Sequence, residues 1–138
     1  MGDSSLADLE EFFLALSDGT RLRLLNLMRL GEVSVGYLSD ELRQSQPKIS
    51  RHLAYLRSAG LVETRRDGKW IYYRISRSSD FAMQALNVAM DWVDQLSGRT
   101  TESRSSARKI AIRQPVQIVD RVHEENEPYS NEIEIYLL

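Results

Sequence analysis

Between Gln46 and Ser76 the apolar period switches from helical to extended across a single glycine, Gly60. Ile49, Leu53 and Leu56 recur at i, i+4 and i+7, which predicts a helix over QPKISRHLAYLRSAG, Gln46 to Gly60. At about 100° per residue Arg51 points almost directly away from that stripe, with Lys48, Ala54, Tyr55 and Ser58 around it. Ser45 stands where an N-cap oxygen is wanted, Pro47 falls in the first turn, and Gly60 is placed as a stop. From Leu61 to Ser76 (LVETRRDGKWIYYRIS) the side chains alternate. Trp70, Tyr72 and Arg74 take one side, and Ile71, Tyr73 and Ile75 the other. Asp67-Gly68 predicts a tight hairpin turn of type I′, which needs positive φ at both central residues. Arg65, Arg66 and Lys69 cluster at its tip.

A further helix, SVGYLSDELR from Ser34 to Arg43, precedes a tight turn into the first one, with Tyr37, Leu38 and Leu42 as its buried positions. The order from Ser34 to Ile75 is therefore helix, turn, helix and two-stranded wing. Alone, the Gln46 helix reads as a surface helix with solvated charge, and the hairpin as a charged exposed loop. Together they suit a polyanion: a helix for the major groove, and a basic hairpin that reaches phosphates or the minor groove beside it.

The distribution of charge supports that reading. Residues 1–45 carry a net charge of −4, residues 46–80 of +5 and residues 81–138 of −3, within an overall −2. One basic block in an acidic chain predicts a single nucleic-acid face, and local charge outweighs the overall balance because phosphates are screened beyond about 8–10 Å.

Three motifs carry a resemblance: Asp18-Gly19-Thr20-Arg21, Ser45-Gln46-Pro47 through Ser50-Arg51-His52-Leu53, and Gly68-Lys69-Trp70 leading into Tyr72-Tyr73-Arg74. In this order and spacing, from about Leu6 to Leu96, the chain resembles the ArsR-type (ArsR/SmtB) winged helix-turn-helix regulators of bacteria. The resemblance implies a mainly α fold with a small β wing. It also implies that the Ser34 helix crosses the DNA backbone while the next helix reads bases.

The remaining segments are read from their own periodicity. Leu6 to Leu16 (LADLEEFFLAL) predicts a helix with Leu6, Leu9, Phe13 and Leu16 on one stripe and Phe12 beside it. Asp18 or Thr20 is placed to cap a second helix running to Leu30, with Leu22, Leu25 and Met28 or Leu24 facing inward and Gly31 ending it. Val33 and Val35 either form a short strand or lead into the Ser34-capped helix. Ser79-Asp80 is placed to cap a long helix to Leu96, whose apolar face comprises Phe81, Ala85, Leu86, Ala89, Trp92, Val93 and Leu96. Two terminal helices with such wide apolar faces exceed what one small core can bury. A homodimer through Leu6, Leu9, Phe13, Phe81, Leu86, Ala89, Trp92, Val93 and Leu96 is the expected sink, and the resemblance implies the same. Residues 1–96 are thus expected as one DNA-binding and dimerisation domain, and the polar stretch 97–108 as a linker. Residues 109–138 are expected as a C-terminal extension with β-strands, because Ile110, Ile112, Val116 and Ile118, and later Ile133, Ile135 and Leu137, alternate with polar residues. An isolated hairpin is marginal, so this extension would lie on the same domain, on the dimer mate, or on a protein partner, or would serve an inducer.

The chain has no cysteine, so disulfides, thiolate metal sites and thiol sensing by its own side chains are excluded. Many members of the family sense metals. The positions that resemble the family's thiolate pair are Ser34 and Gly36 here, and neither replaces a soft ligand. The last helix offers Asp80, Asp91 and Asp94 but no histidine. No metal, no cofactor and no catalytic set is expected. With no long apolar run and no signal-peptide pattern, the expected setting is cytoplasmic, away from membranes.

The expected function is a homodimeric, sequence-specific regulator of transcription, a repressor, on an inverted-repeat operator of double-stranded DNA. Ser45, Gln46, Lys48, Ser50, Arg51 and His52 are the candidate contacts from the helix, and Arg65, Arg66 and Lys69 those from the wing. The alternative is a winged-helix protein-interaction module whose C-terminal strands bind a partner by strand addition.

Overall fold

A computed structural model of the protein describes residues 5–77 and 80–98. The expected linker from residue 99, the Ser79 cap and the C-terminal strands lie outside the described residues. Eight elements follow in the order α1 (Leu6–Leu16), α2 (Gly19–Met28), β1 (Val33–Ser34), α3 (Val35–Leu42), α4 (Gln46–Ser58), β2 (Val62–Asp67), β3 (Trp70–Ile75) and α5 (Asp80–Ser97). This is a mainly helical winged helix-turn-helix with a small antiparallel sheet.

Helices α1, α2 and α3 start where the sequence supplies an acceptor. Ser5 and Asp8 form a reciprocal capping box on α1. The Asp18 carboxylate accepts the Arg21 amide at 2.9 Å and caps α2, which settles the choice between Asp18 and Thr20. Ser34 closes β1 and caps α3 as well, its hydroxyl accepting the Tyr37 amide. The turn between α3 and α4 passes through Arg43 at φ +51°, a left-handed conformation unusual for a residue with a side chain. Hydrogen bonds from the Gln44 amide to the Ser39 carbonyl and from the Ser39 hydroxyl to the Gln44 carbonyl hold it there.

The sheet has the order β1-β3-β2, both pairs antiparallel. Register in the hairpin runs from Val62 opposite Ile75 to Asp67 opposite Trp70. Asp67 is therefore the last strand residue, and the two-residue turn is Gly68-Lys69, not Asp67-Gly68. Only Gly68, at φ +60°, has positive φ within it. Positive φ at the first central residue alone marks a type II′ turn, so the type I′ expectation is corrected. Both primed turns match the twist of the strands, which is why the hairpin forms where the sequence placed it.

The core gathers Phe12, Ala15, Leu24, Leu25, Met28, Leu38, Ile49, Leu53, Leu56, Leu61, Val62, Tyr73, Leu86 and Met90. The α4 stripe is fully buried, and on β3 the side chains divide as the alternation requires, Tyr73 inward and Arg74 outward. In α2, which ends at Met28 and not at Leu30, Leu24, Leu25 and Met28 are all buried.

Helix α5 has two apolar faces where the sequence suggested one broad face. Leu86 and Met90 are buried against the molecule's own core, and Ala85, Ala89 and Val93 pack beside them. Leu86, expected in the dimer contact, is thus buried within the chain, while Ala89 and Val93 are half-buried beside it. Phe81 (84% exposed), Val88, Trp92 (67%) and Leu96 lie on the other side. On α1, Phe12 and Ala15 turn inward while Leu6, Leu9, Phe13 and Leu14 stay exposed. Leu14 and Val88 were not singled out by periodicity. Ser97, expected to open the linker, is the last helical residue.

One polar cluster fastens α5 to α2. The buried Asp94 carboxylate accepts from the Asn26 amide at 2.8 Å and from Arg29 at 3.2 Å, and Arg29 also donates to Asp91 at 2.7 Å. No helix of the described residues is long and apolar enough to cross a membrane.

Candidate nucleic-acid interface

Helix α4 is held from behind by α2, α3 and β2. Because Ile49, Leu53 and Leu56 fill that contact, the opposite side has no choice but solvent. Lys48, Arg51, Tyr55 and Ser58 are exposed there, with Gln46, Ser50 and Ala54 half-buried at its margins. Ser45 occupies the N-cap position but its side chain makes no cap hydrogen bond, contrary to expectation. Pro47 removes one of the first-turn donors that such a bond would have served.

His52 does not share the outer face. It sits at the edge of the buried stripe with Nδ1 3.6 Å from the Asp18 carboxylate, too long for a hydrogen bond. Burial lowers the imidazole pKa below its ordinary 6.5; Asp18 opposes that shift, while Arg21 and Lys48 reinforce it. At neutral pH the ring is therefore mostly neutral, and the contact is packing against the α2 cap, not an ion pair.

Asp18 and Arg21 form a junction of which the sequence offered the motif and a cap at Asp18 or Thr20, but not the contacts of Arg21. Burial raises the Asp18 carboxyl, but the Arg21 amide, the His52 and Arg21 charges and the Thr20 amide outweigh it, and its pKa falls below the usual 3.8. Arg21 donates from Nε to the Ala15 carbonyl at 2.7 Å and from Nη2 to the Leu14 carbonyl at 3.0 Å, which satisfies the C-terminal end of α1. Its guanidinium also lies 4.1 Å from the centre of the Tyr55 ring. One side chain thus touches α1, α2 and α4. The Asp18-to-Arg21 spacing was the available signal, since it places a cap acceptor three residues before the arginine.

The wing is less cationic than its sequence. Arg65 Nε meets both carboxylate oxygens of Glu32, at 2.9 and 3.1 Å, and its guanidinium stacks 4.9 Å from the Tyr72 ring centre. Arg74 bonds Glu63 through Nε and approaches Glu32 at 3.5 Å. Arg66 donates to the Gly68 carbonyl at 3.1 Å, and the Lys69 ammonium lies 5.4 Å from the Trp70 ring centre, so both stand at the hairpin tip. Arg66 and Lys69 thus share the tip, whereas Arg65 is drawn back to Glu32. The outer face of α4 and the wing tip together form two basic, solvent-facing surfaces on one sheet-and-helix unit.

Comparison with known proteins agrees with this architecture. Residues 18–64 match the family described as "Bacterial regulatory protein, arsR family". The arsenical resistance operon repressor of Escherichia coli is 52% identical over 67 residues, 48% of this chain and 57% of that protein, so the chain spans little more than half of that relative. HlyU from Vibrio cholerae superposes with a TM-score of 0.56 at 30% identity, over 72% of this chain and all of that one. The homodimeric winged helix-turn-helix DNA-binding domain of a possible ArsR-family regulator from Mycobacterium bovis gives a TM-score of 0.58 at 28% identity, over 69% of this chain and 88% of that one. With this fold, these motifs and these relatives, the chain belongs to the ArsR family of bacterial regulatory proteins.

Proposed function

We propose that the protein is a cytoplasmic, homodimeric regulator of transcription that binds an inverted-repeat DNA operator and represses from it. The observation that carries this reading is the outer face of α4, where Lys48 and Arg51 stand exposed because the apolar stripe behind them is fully used. Gln46, Lys48, Ser50 and Arg51 meet base edges and adjacent phosphates, Ser45 meets a phosphate at the helix start, and Arg66 and Lys69 meet the backbone beside them. The bare apolar sides of α1 and α5 supply the dimer contact, and two α4 helices then enter successive major grooves about 34–36 Å apart. With no thiolate anywhere in the chain, the family's thiolate-based metal sensing is not part of this reading.

Selection of random duplexes at about 150 mM salt tests it. Enrichment of one inverted repeat is the expected result, and retention without sequence preference overturns it. On the selected operator, Arg51→Ala is expected to cost about 1–3 kcal/mol and to relax preference at one base position. A loss spread evenly over all sequences would make Arg51 a phosphate contact.

A further inference from the structure

We propose that Glu32 limits how tightly the wing grips DNA, by occupying Arg65 and Arg74 where phosphate oxygens would otherwise sit. The inference rests on the DNA-binding reading above.

Glu32 stands immediately before β1, outside the basic block of residues 46–80. The fold brings it to the outer side of the hairpin. There Arg65 Nε lies 2.9 and 3.1 Å from its two oxygens, and Arg74 Nη1 lies 3.5 Å from one of them. Glu63 takes the other side of Arg74, and Asp67 lies 3.4 Å from Arg65 Nη1. Three carboxylates therefore surround two guanidiniums, and this part of the wing carries no surplus positive charge. Among the described residues, only Glu32 touches both arginines.

A carboxylate and a phosphate present similar paired oxygens to a guanidinium fork, so they compete for it. Both arginines are close to half exposed, and an exposed ion pair in water is weak enough for DNA to contest. The effect is thus graded: Glu32 subtracts from affinity and from salt dependence without abolishing binding. The wing then grips chiefly through its tip, and Arg65 contributes less than its position in the sequence suggests.

The test compares the full-length protein with Glu32→Gln, Arg65→Ala and the double variant on the selected operator, with affinity measured across a salt series. Glu32→Gln is expected to bind roughly three- to tenfold tighter near 150 mM salt. The slope of log K against log salt is expected to steepen by about 0.9 for each guanidinium released to a phosphate. Arg65→Ala alone is expected to flatten the slope by well under 0.9, whereas in the Glu32→Gln background it removes about 0.9 of it. An unchanged slope in Glu32→Gln, or a full loss of about 0.9 in Arg65→Ala alone, overturns the proposal. Should Glu32→Gln fail to fold, Glu32→Ala takes its place with the same expected steepening, and an unchanged slope there overturns the proposal. Wild-type protein that retains no duplex overturns the DNA-binding reading and this inference with it. Salt-dependent wild-type binding with an unaltered Glu32→Gln removes only the role of Glu32.

Discussion

Helices α4 and α5 are both amphipathic, yet the folded chain treats them in opposite ways. In α4 the single stripe of Ile49, Leu53 and Leu56 is wholly buried, and what remains outside is charged or polar. In α5 the buried line is Leu86, Met90 and Asp94, and what remains outside is Phe81, Val88, Trp92 and Leu96. Exposed charge is comfortable in water, so α4 needs no further apolar cover, which suits the DNA contact proposed for it. Exposed apolar surface of this extent marks a face that gains by being covered. The same chain thus leaves one helix with its apolar side fully used and the other with apolar side chains uncovered. The α1 residues Leu6, Leu9, Phe13 and Leu14 are also uncovered.

The contrast can be broken most forcefully at Leu53. Leu53→Ala opens a cavity at a fully buried position shared by α4 and the core, and about 4 kcal/mol of stability is expected to go, read from urea unfolding. That loss is expected to be the same at low and high protein concentration once dimerisation is accounted for. A loss under about 1 kcal/mol would mean that the stripe is not the anchor of α4.

On α5 the corresponding anchor is polar, the buried Asp94. Asp94→Ala leaves the Asn26 amide and the mostly buried Arg29 guanidinium without their buried acceptor, and about 3 kcal/mol is expected to go. Asp91 remains as an exposed partner for Arg29 and tempers the cost. Stability unchanged in thermal unfolding would show that α5 is held by its apolar contacts alone.

The smallest change is expected at Trp92, and it is of a different kind. Trp92→Ala removes a large exposed ring, so the fold of one subunit keeps its stability. The dimer is expected to weaken by about 2 kcal/mol per subunit, measured by sedimentation equilibrium. An unaltered monomer–dimer balance would take the bare side of α5 out of the interface.

Much of this molecule was legible in the sequence for local reasons. The α1 boundaries, the α4 stripe and the alternation on β3 each follow from neighbouring residues, because helix and strand periods act within a few positions, whereas the α2 cap was narrowed only to Asp18 or Thr20. The hairpin was placed correctly, but its turn type was not. Pairing of Asp67 with Trp70 moved the turn by one residue, and register is a property of two strands and not of one. The candidate interface was legible to the same degree. Arg51 could be assigned to the outer face from helical geometry alone, but His52 could not be assigned to Asp18 without knowing how α4 packs on α2.

The sequence by itself determined the order of elements, the basic character of residues 46–80 and the absence of thiolate chemistry, since these depend on residue identity and short-range spacing. Tertiary structure decided three further things. It divided the apolar residues of α5 between an inner and an outer face. It brought Asn26 and Arg29 to Asp94 across more than sixty residues. It also drew Glu32 onto Arg65 and Arg74. Each of these joins side chains from distant segments, and only the packed chain fixes which distant groups share a few ångströms of space.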